Sequence, residues 1–356
     1  LHYQPRVHLG TGALVSAEAL IRWQHPTRGL LPPGAFLAAI ENNLLIDKLG
    51  EWVIDRALTQ HEAWCEQGLE IPVSVNIAAH QLQSQNFTAR LRALLAAHPR
   101  VNPAFLELEI LESGALHDVA QASSVLAECR EIGVHVSLDD FGTGYSSLTW
   151  LRRLPVNTLK IDQSFVRDMV DNAEDVSILE GVLGLAAGLD LTAVAEGVET
   201  VDHGRLLLRL GCVYGQGYGI AWPMPPDALP AWAGDWRPDP AWQSASSLAP
   251  SKRLLLQAAI AHRAWVSAME SFLQGNRLAP PAFDAQKCRF ERWLDSERAT
   301  PEGASPAFVA IEALHGEVHA LTQHMVTAPA PDGAESVLAE VRRLSGEFLG
   351  QLEILL

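Results

Sequence analysis

The sequence predicts an α/β fold: a TIM-like (β/α)8 barrel with a C-terminal four-helix bundle. Three observations carry that expectation. Short β-rich runs alternate with longer helical patterns over residues 1–240, and that order favours a closed barrel over an open doubly wound sheet. The stretch Trp236 to Pro250 is rich in Pro, Ser and Ala, lacks apolar periodicity and reads as a linker. Everything after it is helix-forming sequence, broken only at Pro- and Gly-containing turns. The expected division is a barrel over 1–237, a linker over 238–250 and a bundle over 251–356.

Candidate strands are Leu14 to Ile21, Val73 to Ile77, Leu106 to Ile110, Val134 to Leu138, Thr158 to Ile161, Thr192 to Ala195 and a shorter run near Cys212 to Tyr214. Helical stretches such as Gly50 to Gln67, Ala120 to Ile132 and Val176 to Ala187 lie between them. No GxGxxG or GxxxxGK[ST] run follows the first strand, which removes the main support for a dinucleotide or P-loop fold. In the second part, residues 251–274, 283–298, 305–327 and 334–356 are similar in length and separated by short breaks, the pattern of an antiparallel bundle.

Composition narrows the function. The 356 residues include 42 Asp and Glu against 26 Lys and Arg, a net charge of −16. An acidic chain is a poor general binder of DNA or RNA, because phosphate backbones must be met by clustered cations. The imbalance is concentrated in the barrel region: 29 acidic and 16 basic residues fall in 1–240, against 13 and 10 afterwards. Cys65, Cys129, Cys212 and Cys288 are too widely spaced for a disulfide framework and imply a reducing, cytoplasmic setting. No apolar run approaches the ~20 residues of a membrane span, so no membrane contact is expected from this polypeptide. It starts at Leu1 rather than Met, as a fragment with its upstream part removed would.

In a (β/α)8 barrel the carboxyl ends of the strands converge on one mouth, where chemistry sits. Along this chain those ends carry Glu18, Asn76, Glu109, Asp139 with Asp140, Lys160 with Asp162, and Glu196. Five carboxylates sharing a mouth would repel one another unless cations stood between them. Oxygen donors with one amide suit Mg²⁺ or Mn²⁺ better than Zn²⁺. The adjacent Asp139 and Asp140 allow one carboxylate to bridge two ions, as in two-metal phosphoester hydrolysis. Each piece has a plainer reading: a single Glu at a strand end is commonly a solvated residue, and Lys160 with Asp162 is an ordinary rim ion pair. Their joint occurrence on successive strands is what points to a site.

The run Asp139-Asp140-Phe141-Gly142-Thr143-Gly144-Tyr145-Ser146-Ser147-Leu148 follows a strand directly, and its glycines let the backbone approach a ligand closely. Together with Ala17-Glu18-Ala19-Leu20-Ile21-Arg22-Trp23, Val75-Asn76-Ile77, Glu107-Leu108-Glu109-Ile110-Leu111-Glu112, Leu159-Lys160-Ile161-Asp162, Ala195-Glu196-Gly197-Val198-Glu199 and Gln216-Gly217-Tyr218, it resembles the EAL family of cyclic di-GMP phosphodiesterases over residues 1–235. The resemblance implies hydrolysis of cyclic di-GMP to linear pGpG with two Mg²⁺ or Mn²⁺ ions. Glu18, Asn76, Glu109 and Asp139 match the family's ligands to one ion, and Asp139 and Asp140 face the second, with Glu196 close by. Lys160 matches the lysine that holds the attacking water or a phosphate oxygen, which places Lys160, Glu196, Asp140 and Glu112 in the catalytic set. Glu112 matches the carboxylate that steadies the glycine-rich loop. Arg22 resembles a phosphate-gripping arginine, Gln4 lies in the substrate-contacting Tyr-Gln-Pro run, and Asp162 and Gln216 match residues that support the site.

In the bundle, His315 and His319 are four apart and share a helical face, while His262 and Cys288 belong to two other helices. One thiolate and three imidazoles make a tetrahedral zinc shell; on spacing alone, a core Cys and solvated His residues are the favoured description. The order His-x-x-Trp, Cys-x-Phe-x-x-Trp-Leu, His-x-x-x-His resembles the chemoreceptor zinc-binding (CZB) domain, which implies zinc held by His262, Cys288, His315 and His319 and regulation of the barrel by zinc or thiol oxidation. Glu291 departs from that family, which usually carries Gly after the Phe. A homodimer is expected. Three alternatives stay open. A noncatalytic cyclic di-GMP receptor shares every motif, a zinc-responsive scaffold uses the barrel mainly for dimerisation, and a glycoside hydrolase needs two carboxylates but gives Asn76, Lys160 and the adjacent Asp pair no role.

Overall fold

The first strand is not among those expected. The computed structural model describes residues 1–40, 43, 45–84, 86–112, 119–143, 151–274, 276–277, 289–300, 302–327 and 334–356; some helical side chains, that of His319 among them, also lie outside the description. It begins with β1 (His2–His8), which turns through residues 9–13 into β2 (Leu14–Leu20). Parallel neighbours need a crossover of a dozen or more residues, so this short turn makes the pair antiparallel, with Gln4 opposite Glu18 and Arg6 opposite Ser16. The turn closes with His8 N–H donating to Ala13 O at 2.8 Å and uses Gly12 at φ +74°, where a side chain would be strained and a Cβ would meet Pro238.

After a small hairpin, β3 (Trp23–His25) and β4 (Gly29–Leu31), come β5 (Val73–Ile77), β6 (Leu106–Leu111), β7 (His135–Phe141), β8 (Thr158–Ile161), β9 (Thr192–Ala195) and β10 (Tyr214–Gly215). Strands β5, β8 and β9 have the expected bounds. The barrel closes in the order β1-β10-β9-β8-β7-β6-β5-β2. From β2 round to β10 every neighbour is parallel; β1 alone runs against both of its partners. The fold is therefore a TIM-like barrel with one reversed strand.

Alternation along the strands separates two environments. Val73, Val75, Leu106, Leu108, Leu159 and Ile161 are almost fully buried on the outer face, where helices such as Leu45–Glu66, Val119–Ile132 and Val201–Leu210 follow the strands. The last helix shows how local sequence fixes its ends. Thr200 caps it by accepting from His203 N–H, and Gly211 ends it at φ +96°. Its leucines at 206, 207, 208 and 210 are buried, each contributing about 1.5–3 kcal/mol. The intervening strand positions, Gln4, Arg6, Ser16, Glu18, Ser74, Glu107, Glu109, Ser137, Asp139 and Lys160, are polar and buried. Barrel interiors usually carry Val, Ile and Leu; this one is a polar column.

Residues 1–167 with 179–246 form one compact unit, and 168–178 with 247–356 form another. The expected linker 238–250 is corrected at its first half. Pro240–Gln243 is a helix capped by Asp239, and Trp242 is buried, donating Nε1–H to Val201 O at 2.7 Å. One large aromatic anchors this segment without any periodicity, which is why the pattern reads as linker. Gly204 provides the seat, since a Cβ there would lie 2.3 Å from the indole.

The second unit contains the helices Pro250–Leu273, Arg289–Glu297, Pro306–Thr327 and Ala334–Leu355. The expected second helix began at 283; residues 283–288 lie outside the described ones. Leu255, Phe290, Trp293, Phe308, Ile311 and Phe348 form its core. Among the described residues no helix is long and apolar enough to cross a membrane. Replacing the indole anchor, Trp242→Ala, should lower the stability of the barrel unit by about 3–5 kcal/mol, read as a lower urea midpoint.

Candidate active site

Lys160, on β8, is the hub of the polar column. Its side chain is 1% exposed, and its ammonium lies 2.6 Å from Glu109, 2.7 Å from Glu196, 3.1 Å from Asp139 and 3.8 Å from Glu18. The four carboxylates arrive on β6, the end of β9, β7 and β2, each at a position whose alternation points it inward. Glu109 is gripped a second time, by Arg6 at 2.8 Å, and Arg6 also pairs with the buried Glu107 at 3.2 Å. This lower pair was not expected from sequence, although Arg6 and Glu107 lie two residues from Gln4 and Glu109 and so share their face.

Glu18 carries a second network. Asn76 donates Nδ2–H to its Oε1 at 2.7 Å and Gln216 donates Nε2–H to its Oε2 at 2.6 Å. Gln216 also reaches Gln4 Oε1 at 3.0 Å, and Gln4 donates to Ala221 O. Backbone packing sets Gln216 in place: Val198 N–H donates to its carbonyl, and a Cβ on Gly217 would lie 2.2 Å from Val198 N. Arg22, just past β2, donates to Ile21 O at 2.9 Å. Burial lowers its pKa, against the opposing pull of Tyr218 and Glu18. Tyr218 stacks on Trp222 at 3.7 Å beside Gln216, and both rings are exposed.

Asp139 and Asp140 reach the mouth together because β7 bulges. Leu138 pairs with Leu159 and Phe141 with Ile161, so one extra residue is accommodated between them. Asp140 adopts φ +55°, a conformation Asp tolerates better than most residues, and donates its N–H to Asp139 Oδ1 at 3.0 Å. Asp162 adds negative charge beside Asp140 and accepts from Ser164 N–H and Oγ–H. Glu112, beyond the end of β6, accepts from Gly142 N–H at 3.0 Å and so anchors the first glycine of the loop. Gly144 to Leu148 of that loop lie outside the described residues.

Oxygens of Asp139, Asp140 and Glu196 all lie within 4.8 Å of one another, so Glu196 joins the aspartates as a donor group. Their protonation equilibria show uncompensated negative charge. Burial, then repulsion by Asp139 and Glu18 against the pull of Lys160, pushes Glu196 up to about 8. Burial and Glu109 push Glu18 up to about 7, and burial with Asp139 and Asp162 pushes Asp140 up to about 6. Glu109 goes the other way, to about 2, because Lys160 and Arg6 together overcome its burial. Hard divalent cations fit this donor set: carboxylate oxygens converge, and their charge exceeds that of the two resident cations.

In the second unit, His262 and His315 are buried and both rings pack on Phe348, at 4.3 and 5.9 Å. His262 Nε2 lies 3.2 Å from Ser345 Oγ. Cys288 and the His319 side chain lie outside the described residues. His262 and His315 thus come from two helices to the same aromatic ring.

The family model for the EAL domain matches residues 1–223. The chain belongs to the EAL domain family. The model for the chemoreceptor zinc-binding domain matches residues 262–326, so a CZB domain follows the EAL domain. The bifunctional diguanylate cyclase/cyclic di-GMP phosphodiesterase MucR of Pseudomonas aeruginosa is 40% identical over 230 residues, 64% of this chain and 33% of its own. The cyclic di-GMP phosphodiesterase NbdA of the same organism is 40% identical over 242 residues, 68% of this chain and 31% of its own. The chain thus spans about a third of these relatives. A MucR phosphodiesterase structure in complex with c-di-GMP superposes with a TM-score of 0.62 at 40% identity, covering 64% of this chain and 93% of that one. The EAL domain of Mycobacterium smegmatis DcpA gives 0.58 at 33% identity, covering 67% and 98%.

The lower ion pair offers a clean test of the polar column. Arg6→Met leaves Glu107 buried without its cation and takes one of two cations from Glu109, and should cost the EAL domain about 3–5 kcal/mol, seen in urea unfolding; adding Glu107→Leu should recover the part of the loss that belongs to Glu107.

Proposed function

We propose that the barrel hydrolyses cyclic di-GMP to linear pGpG, with two Mg²⁺ or Mn²⁺ ions held by Glu18, Asn76, Glu109, Asp139 and Asp140 beside Glu196. The observation that carries this reading is the excess of buried carboxylate over Lys160 and Arg6, expressed in the raised values of Glu18, Asp140 and Glu196. When bound, the ions supply an activated water near neutral pH and neutralise charge on the phosphate oxygens.

The chain's own groups supply position. Asn76 donates its amide N–H to Glu18, which leaves its carbonyl oxygen as the donor suited to a cation. Lys160 is fixed among four carboxylates and offers an ammonium to a phosphate oxygen or to the attacking water. Arg22 extends a guanidinium suited to the substrate phosphate, and Gln4 with Gln216 frames the same side. Glu112 holds Gly142, and with it the start of the loop that carries Asp140. A glycoside hydrolase would leave Asn76, Lys160 and the paired aspartates unused, so phosphodiester hydrolysis accounts for more of the site.

The bundle, in this reading, holds one Zn²⁺ through His262, Cys288, His315 and His319, and zinc occupancy or oxidation of Cys288 alters turnover in the barrel. Thiolate is both the zinc ligand and the oxidisable group, so the two inputs are linked. The protein acts as a cytoplasmic homodimer, a location in keeping with the unpaired thiols of Cys65, Cys129 and Cys212.

Incubation of the purified chain with cyclic di-GMP and Mg²⁺ or Mn²⁺ should yield pGpG, and chelator should stop it. Intact substrate alongside measurable binding would replace the enzyme by a receptor. Glu18→Ala should reduce turnover by at least the 10–100-fold that even outer partners of a metal are worth; an unchanged rate contradicts the site. Metal analysis should find about one zinc per chain in the wild type and a clear deficit in Cys288→Ala.

A further inference from the structure

Glu107 lies one layer below the carboxylates at the mouth, two residues before Glu109 on the same inward face of β6, and it is buried. Its partner Arg6 belongs to β1, which β2 and β5 separate from β6 around the barrel. The guanidinium therefore crosses the interior to reach it. Nη1 donates to both Glu107 oxygens, at 3.3 and 3.2 Å, and Nη2 donates to Glu109 Oε1 at 2.8 Å. The other oxygen of Glu109 accepts from Lys160 at 2.6 Å.

Held at Oε1 by Arg6 and at Oε2 by Lys160, Glu109 has a fixed orientation. Each carboxylate oxygen keeps a second acceptor direction, so this grip leaves room for an ion. Charge is the harder matter. Two cations on one carboxylate cancel the negative charge that a divalent ion needs, and in a poorly solvated interior their repulsion of that ion is strong. Glu107 supplies the counter-charge. Together with Arg6 it forms a neutral pair, which orients Glu109 through a directed hydrogen bond and leaves its charge to the mouth. Burial works against the Arg6 charge, yet Glu107, then Glu109, Glu18 and Glu196 raise the pKa of the guanidinium above its ordinary value. Arg6 is thus felt by the carboxylates of the mouth as well as by its own partner. Stability alone gives the pair little reason to be ionic, since two apolar side chains of similar volume commonly serve as well in a buried position.

We propose that Glu107 is a positioning residue for the divalent ions: by neutralising Arg6, it lets the guanidinium orient Glu109 while the mouth keeps its affinity for cations. The inference rests on the metal reading of the barrel.

The test is titration of the full chain with Mn²⁺, its zinc domain loaded and no other divalent ion added, with free Mn²⁺ followed by electron paramagnetic resonance. Glu107→Gln keeps the size of the side chain and an oxygen for Nη1 but removes the charge, and it should weaken Mn²⁺ binding about 10-fold or more. Glu107→Asp, which keeps the charge, should stay closer to wild type. The double variant Arg6→Met with Glu107→Leu removes both charges and should bind Mn²⁺ more tightly than Glu107→Gln, although it alters more of the interior. A role in packing alone predicts the reverse order. Circular dichroism of the metal-free variants checks that the barrel is intact. A Glu107→Gln affinity equal to that of wild type, or a double variant that binds no better than Glu107→Gln, overturns the inference while the metal reading stands. A wild-type chain that binds no Mn²⁺ overturns the metal reading and this inference with it.

Discussion

One ammonium buried among four carboxylates is the constraint on which the barrel depends. Lys160 cannot be removed from water at such depth without partners, and Glu18, Glu109, Asp139 and Glu196 cannot crowd together without a cation. Each side makes the other tolerable. Arg6 extends the arrangement one layer down, satisfying Glu107 and taking half of Glu109. The result divides labour among chemically identical groups. Glu109, held by two cations, stays ionised at about 2, whereas Glu196, Glu18 and Asp140 sit near 8, 7 and 6. That residual charge is what the proposed divalent ions would neutralise.

The scaffold has to deliver these side chains with little aliphatic filling inside, Val194 beside Lys160 being one such residue. Its packing energy comes from the outer face, where the alternate residues of β5, β6 and β8 are buried beneath helices. The interior is free to be polar because the exterior is not. Irregular backbone occurs where the strands meet the mouth: the β7 bulge with Asp140 at φ +55°, and Gly217 pressed on Val198. At both, local regularity gives way to the placement of a side chain.

The parallel strands were legible because each is a short aliphatic run, and their polar ends named most of the mouth. What escaped did so for physical reasons. In β1 the inward residues are Gln4 and Arg6, and Pro5 interrupts the run, a residue that argues against a paired strand. The structure accommodates it between two bonded points on one edge, Tyr3 with Met224 and Val7 with Gly215. Arg6 and Glu107 obey period two, but they sit one layer beneath the strand ends whose polar residues mark the mouth. That Asp139 and Asp140 both face the mouth depends on a bulge that no periodicity encodes. Trp242 was hidden in a Pro- and Ser-rich stretch because a single buried indole leaves no repeating signal.

The central claim is that the carboxylate ring around Lys160 is a cage for two divalent cations. Its most direct measurement is the binding of Mn²⁺ to the full chain with its zinc domain loaded, followed by electron paramagnetic resonance. The account predicts two Mn²⁺ per barrel, close enough to be magnetically coupled, with the coupling lost in Asp139→Asn. A chain that binds no Mn²⁺ at millimolar concentration, or binds it equally well without Asp139, would contradict it.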